Sequence, residues 1–286
     1  MNDNFTLPEL MLRPIVEAAL REDIRSGDIT TRAVVPPDTQ GRAQMTMRES
    51  GVVCGLAVAQ MAFWQLAGEG CERTELLRRD GEQIEAGAVV MEISGSAEII
   101  LGAERVALNF AQRLSGVATL TRRFVEAVEG TNARITDTRK TTPGLRLLEK
   151  YAVRCGGGVN HRFALDDMIL IKDNHIALCG GIAAALERAK RNARHSVKIE
   201  IECDTLEQVE EAASAGADII LLDNMQPETL REAVQIIKGR AVSEASGGVN
   251  LETVRGIAQS GVDVISVGAL THSARALDIG LDVELS

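Results

Sequence analysis

The amino-acid sequence predicts an α/β protein in two parts, a small α+β region followed by a βα barrel. Three observations carry this. From about residue 133 onward, short β-branched runs recur with helical segments between them. Nearly every run ends in a polar or glycine-rich cluster, and the first third of the chain has a different rhythm. With 286 residues there is room for one large barrel or for two smaller domains, each with its own core.

In the first part, residues 9–22 carry a helical pattern and short strands follow around Gly41–Glu49. A helix is predicted over Leu56–Ala67, and glycines punctuate Asp80–Ser94. A long helical stretch from Glu98 to about Val128 leads onward, broken or bent near Ser115-Gly116. Its polar stripe of Glu104-Arg105, Asn109, Gln112 and Gly116 reads as a solvent-facing side.

The barrel strands are predicted at Arg134–Asp137, Met168–Ile171, Val197–Glu202, Ile219–Leu222, Ala241–Ala245 and Val264–Val267. Their starts lie 34, 29, 22, 22 and 23 residues apart, and each of the last three intervals suits one strand plus one helix. Asp204-Thr205-Leu206-Glu207 reads as a capping box with Asp204 as the cap; Leu206, Val209 and Ala213 share one face, and Gly216 ends that helix. Ala215-Gly216-Ala217-Asp218-Ile219 is echoed 45 residues later by Ser260-Gly261-Val262-Asp263-Val264, the spacing of two βα units.

The whole chain carries 31 basic and 41 acidic residues, a net charge of −10 that argues against a nucleic-acid partner. Its five cysteines (Cys54, Cys71, Cys155, Cys179, Cys203) contain no CxxC pair, so neither a zinc site nor a disulfide framework is expected. There is no apolar run of membrane-spanning length, and Met1-Asn2-Asp3-Asn4 lacks the character of a signal peptide. The expectation is a soluble, cytoplasmic protein with no membrane partner.

Against this acidic background, Arg139 to Lys172 holds seven Lys/Arg and three acids, a local charge of +4. A positive island among glycine turns points to a small, multiply charged anion. In a βα barrel, residues just past the C-terminal strand ends share the substrate-binding face. Here those residues are Thr138-Arg139-Lys140, Lys172-Asp173-Asn174-His175, Glu202 with Asp204, Asp223-Asn224, Ser246-Gly247-Gly248 and Gly268-Ala269. Asp, Asn, Ser and Gly at such places commonly do no more than cap the next helix, whereas Arg and Lys are poor caps. Arg139 and Arg162 offer the planar fork that suits a carboxylate. Ser246-Gly247-Gly248 and Gly268-Ala269 follow the last two strands, where barrels frequently bind phosphate. Glu202 and Asp223 end adjacent strands; they either converge on a Mg²⁺ shared with a polyphosphate or pair with lysines across the mouth. His161 is a candidate for orienting a carboxylate, for acid/base work or for a structural role.

These runs resemble a known family. Asp137-Thr138-Arg139-Lys140-Thr141-Thr142-Pro143-Gly144-Leu145-Arg146, Gly156-Gly157-Gly158-Val159-Asn160-His161-Arg162, Lys172-Asp173-Asn174-His175, Leu222-Asp223-Asn224, Glu244-Ala245-Ser246-Gly247-Gly248 and Ser266-Val267-Gly268-Ala269 are similar to the motifs of quinolinate phosphoribosyltransferases. The likeness extends to Glu22-Asp23, Gly27-Asp28-Ile29-Thr30-Thr31, Glu104-Arg105 and Leu114-Ser115-Gly116.

The resemblance implies an incomplete α/β (TIM-like) barrel over 115–270, with an open α/β sandwich domain over 1–114 completed by the C-terminal tail, 271–286. It implies a homo-oligomer, dimer or hexamer, whose active sites face the partner's N-terminal domain. By motif, Arg139, Arg162, Lys172, His161 and the Arg105 contributed by a second copy surround quinolinate. Thr138, Lys140, Glu202, Asp223, Ser246, Gly247, Gly248, Val267, Gly268 and Ala269 hold phosphoribosyl pyrophosphate, with Mg²⁺ on Glu202 and Asp223. Lys140, Glu202 and Asp223 are the implied catalytic residues, and the implied products are nicotinate mononucleotide, pyrophosphate and CO₂, a step of NAD biosynthesis. Three alternatives stand beside this: a same-fold relative with another substrate, such as a molybdate-transport-associated protein; a barrel aldolase using Lys140 or Lys172 as a Schiff base; and a non-enzymatic phosphometabolite-binding barrel.

Overall fold

Alternating burial builds the first sheet of the computed structural model, which describes residues 7–68 and 73–285 and so leaves Cys71 outside. Strand β1 (Gln40–Met47) buries Ala43, Met45 and Met47 and exposes Arg42. It is followed by β2 (Gly51–Val52), β3 (Arg73–Leu76), β4 (Gln83–Ile84) and β5 (Val89–Ser96). The tail strand Ile279–Leu285 pairs antiparallel with β1 from Met47↔Ile279 to Gly41↔Leu285, giving the order tail-β1-β5-β3. The tail thus completes the N-terminal sheet, as expected. Helix Glu9–Ile24 buries Leu12, Val16 and Leu20, one stripe at a spacing of four, and packs on helix Leu56–Ala67. These elements belong to a compact unit formed by Met1–Leu120, Thr142–Gly157 and Ala274–Ser286.

The long helix runs unbroken from Ala97 to Ala127, which corrects the expected break at Ser115-Gly116. Both residues serve close packing instead. Ser115 Oγ donates to the Cys54 carbonyl at 3.1 Å and accepts from the Cys54 amide at 2.9 Å. A Cβ on Gly116 would stand 1.9 Å from the Arg275 carbonyl oxygen. The polar stripe is likewise only partly a solvent face: Arg105 and Asn109 are exposed, but Gln112 Nε2 donates to the Ile279 carbonyl at 2.7 Å and Gly116 is buried. Gly116→Ala is therefore expected to destabilise the protein by about 1–3 kcal/mol despite alanine's better helix propensity, read as a lower urea midpoint.

The second unit, Thr121–Thr141 with Gly158–Ser273, is the barrel. Its strands are β6 (Arg134–Thr136), β7 (Ile169–Ile171), β8 (Ile199–Cys203), β9 (Ile219–Asp223), β10 (Val242–Ser246) and β11 (Val264–Ser266). They form one parallel sheet in the order β6-β11-β10-β9-β8-β7, and Val159 adds an isolated parallel bridge to β6 at Thr136. Helices Ile182–Asn192, Leu206–Ser214 and Pro227–Ile237 connect successive strands and bury Leu186, Val209 and Leu230. The capping residue of Leu206–Ser214 is Thr205, not Asp204: Thr205 Oγ1 accepts from the Gln208 amide, and Gln208 Oε1 accepts from the Thr205 amide. The glutamine one turn in, not Glu207, closes the box, because only the third helical residue reaches back to the cap. No helix among the described residues is long and apolar enough to cross a membrane.

Candidate active site

Strand order brings the predicted clusters to one end of the barrel. Lys172 follows β7, and its Nζ lies 2.9 Å from the carboxylate of Glu202 on neighbouring β8. Asp223 ends β9, where its carboxylate accepts from Asn224 Nδ2 at 2.6 Å. Burial first, and then the charge of Glu202, raise the Asp223 carboxyl above its ordinary value. Two carboxylates that repel one another, with Lys172 close by, make a donor set that a hard cation would relieve.

The turn after β10 is locked to the turn after β9. Asn224 adopts φ +53° and its amide donates to the Ser246 carbonyl at 2.9 Å. Gly247, at φ +96°, has no room for a side chain, since a Cβ would lie 2.1 Å from Asn224 Oδ1. Gly268, after β11, leaves space for Lys140, whose Cδ would be 3.1 Å from an added Cβ. The Lys140 carbonyl accepts from Thr271 Oγ1 at 2.7 Å, and its amide donates to Thr138 Oγ1 at 3.0 Å. Val267 is buried and its amide donates to the Thr136 carbonyl, tying the Val267-Gly268-Ala269 turn to β6.

Arg139 and Arg162 form the cationic side. Arg162 Nη1 donates to the Met168 carbonyl at 2.9 Å, and burial together with the neighbouring charge of Arg139 pushes its guanidinium below its ordinary value. Like charges brought together in this way favour an anion beside them. His161 turns inward: its amide donates to Asp137, its Nδ1 accepts from the Arg162 amide at 2.8 Å, and its Nε2 lies 3.1 Å from Glu200 and 3.5 Å from Glu244. Sequence reasoning missed those two glutamates. The available signal was the alternation Glu200-Ile201-Glu202, which sets two acids on one face of a single strand. Arg105 belongs to the other unit, is exposed, and has Glu104 at 4.0 Å.

The parallel sheet and the polar residues at its strand ends place the chain in the class of βα-barrel enzymes. Residues 28–115 match the N-terminal domain of quinolinate phosphoribosyl transferase, and residues 117–282 match its C-terminal domain. A probable nicotinate-nucleotide pyrophosphorylase (carboxylating) of Bacillus subtilis is 44% identical, covering 97% of this chain and 95% of its own. The nicotinate-nucleotide pyrophosphorylase of Mycobacterium leprae is 46% identical over 95% of this chain and 96% of its own. The crystal structure of NadC from Streptococcus pyogenes superposes with a TM-score of 0.95 at 40% identity, covering 99% of this chain and 100% of that one. The chain belongs to the quinolinate phosphoribosyl transferase family.

Proposed function

We propose that the protein transfers phosphoribosyl from phosphoribosyl pyrophosphate to quinolinate with decarboxylation, yielding nicotinate mononucleotide, pyrophosphate and CO₂ for NAD biosynthesis. The observation that carries this reading is the adjacency of Arg139 and Arg162 in a barrel whose strands β8 to β11 lead into Glu202, Asp223 and two glycine turns. A dianion requires several fixed cations to offset its desolvation, and this side of the mouth supplies them with Lys172. Arg105 of a second copy completes the diacid site in a homo-oligomer.

Thr138, Lys140, Ser246, Gly247, Gly248, Val267, Gly268 and Ala269 hold the phosphoribosyl pyrophosphate. Glu202 and Asp223 would hold Mg²⁺, which when bound would offset the charge of the pyrophosphate group. As pyrophosphate leaves, positive charge develops at ribose C1, and the carboxylates of Glu202 and Asp223 stabilise it directly or through ribose hydroxyls. The pyridine nitrogen attacks that carbon. Alkylation makes the ring nitrogen cationic, so it stabilises the carbanion left at C2 when CO₂ departs, and Lys140 is the candidate proton donor there. A Schiff-base role for Lys140 or Lys172 has nothing to favour it in a chain of the quinolinate phosphoribosyl transferase family.

The test is an assay with carboxyl-labelled quinolinate, phosphoribosyl pyrophosphate and Mg²⁺, with nicotinate as the control acceptor. Equal release of CO₂ and nicotinate mononucleotide from quinolinate alone is the expected result. No turnover by folded protein would transfer the assignment to a relative of altered specificity.

A further inference from the structure

Below the mouth, the barrel buries ionisable groups for which the proposed reaction has no use. Glu200 and Glu244 stand on alternate strands β8 and β10, each two residues before a mouth residue, Glu202 and Ser246. Strand alternation therefore places them one layer deeper on the same inward face. Their side chains are 0% and 4% exposed, and both face His161 Nε2. Among the described residues, neither Glu200 oxygen nor Glu244 Oε1 has a hydrogen-bond partner of regular geometry. Two such carboxylates, both ionised, would be expensive to bury.

The charged and titratable groups around the pair are Asp137 at the end of β6, His161 on the loop after the Gly156-Gly157-Gly158 turn, and Arg162 beside it; β11 adds the Ser266 hydroxyl. By register, β7 places Leu170 and β9 places Ile219 opposite Glu200, and β9 places Leu221 opposite Glu244. A metal ion does not suit this cluster. His161 Nδ1 accepts from the Arg162 amide and so carries the lone pair, leaving the ring hydrogen on Nε2, the atom that a metal would need.

Resting on the functional reading above, we propose that Glu244 is a positioning residue held as a neutral acid against Glu200 and His161, keeping a second negative charge away from the diacid-binding arginines. Glu200 already stabilises the Arg162 guanidinium, and an ionised Glu244 would add to that competition with the ligand. It would also disturb the His161 ring on which the Arg162 amide is fixed. Burial, and then the charge of Glu200, push Glu244 up to about 7. The sign follows: below that value Glu244 is neutral and the arginines serve the ligand, and as pH rises through it the site loses affinity for the diacid.

The experiment is KM for quinolinate against pH from 6 to 8.5, with KM for phosphoribosyl pyrophosphate as control, in the wild type and in Glu244→Gln. Both ligand carboxyls are ionised throughout, so the profile reports the protein. The wild-type KM for quinolinate should rise roughly five- to tenfold, and Glu244→Gln, permanently neutral, should be flat. Parallel profiles for the two proteins would overturn the proposal. Isotope-edited infrared spectroscopy of the wild type needs no variant and no turnover: a glutamic-acid C=O band should be present at pH 6 and gone by pH 8.5. Absence of that band at pH 6 would also overturn it, whereas its presence in a protein that does not turn over quinolinate would count against the reaction alone.

Discussion

Arg162→Ala is expected to weaken quinolinate binding by about 2–4 kcal/mol, roughly 30- to 1000-fold, and phosphoribosyl pyrophosphate binding far less. The asymmetry follows from how the side chain is held. One guanidinium nitrogen is committed to the Met168 carbonyl and the backbone amide to His161, so the remaining donors are oriented before any ligand arrives. The repulsion between Arg162 and Arg139 is already present in the free protein, and a dianion bound between them as proposed would relieve it. Removing either arginine also removes that repulsion. The double variant should consequently lose less than the sum of the two single losses, the signature of residues acting on one ligand group. Arg162→Lys should fall between, keeping the charge but not the bidentate fork. Titration calorimetry with each ligand separately is the measurement, and equal loss of both would mean that the substitution damages the barrel and not the diacid site.

The barrel strands were legible because each is a short run with β-branched residues whose exit is chemically odd: a lysine after Ile171, a glutamate one residue before the end of β8, an aspartate at the end of β9, a serine at the end of β10. Position relative to a strand end is a local property, and local properties survive in one dimension. What the sequence concealed is the partner of each side chain. Gly116 looks like a helix breaker until the Arg275 carbonyl, far along the chain, is seen lying on it. Nothing near His161 in the sequence shows that Glu200 and Glu244, on two later strands, face its Nε2. Such pairings are set by strand order, and β10 and β8 are joined only through β9, a relation that spacing alone does not express. The capping box shows the same limit at shorter range: Asp204 and Thr205 are both good caps by type, and the choice is made by the glutamine that reaches back to Thr205.

Arg113 illustrates a side chain that sequence periodicity passes over and that stability depends on. It lies between Gln112 and Leu114 on the long helix, and its guanidinium meets the fully buried carboxylate of Glu149 at 2.6 and 3.1 Å while donating to the Ala274 carbonyl at 2.7 Å. The same carboxylate accepts from the Thr142 amide at 2.9 Å and from its hydroxyl at 2.8 Å. Thr142 directly follows the Arg139-Lys140-Thr141 run, so this buried pair anchors the chain where it leaves the proposed substrate-binding residues. Arg113→Met keeps most of the volume but leaves an uncompensated buried charge, and a loss of about 3–5 kcal/mol is expected. Adding Glu149→Gln to Arg113→Met should recover part of that loss, because the neutral amide oxygen still accepts from Thr142 without needing a cation. Urea denaturation of the wild type, both single variants and the double variant supplies the cycle. Additive losses would show that Arg113 and Glu149 contribute independently, and the anchoring of Thr142 would then have to come from elsewhere in its unit.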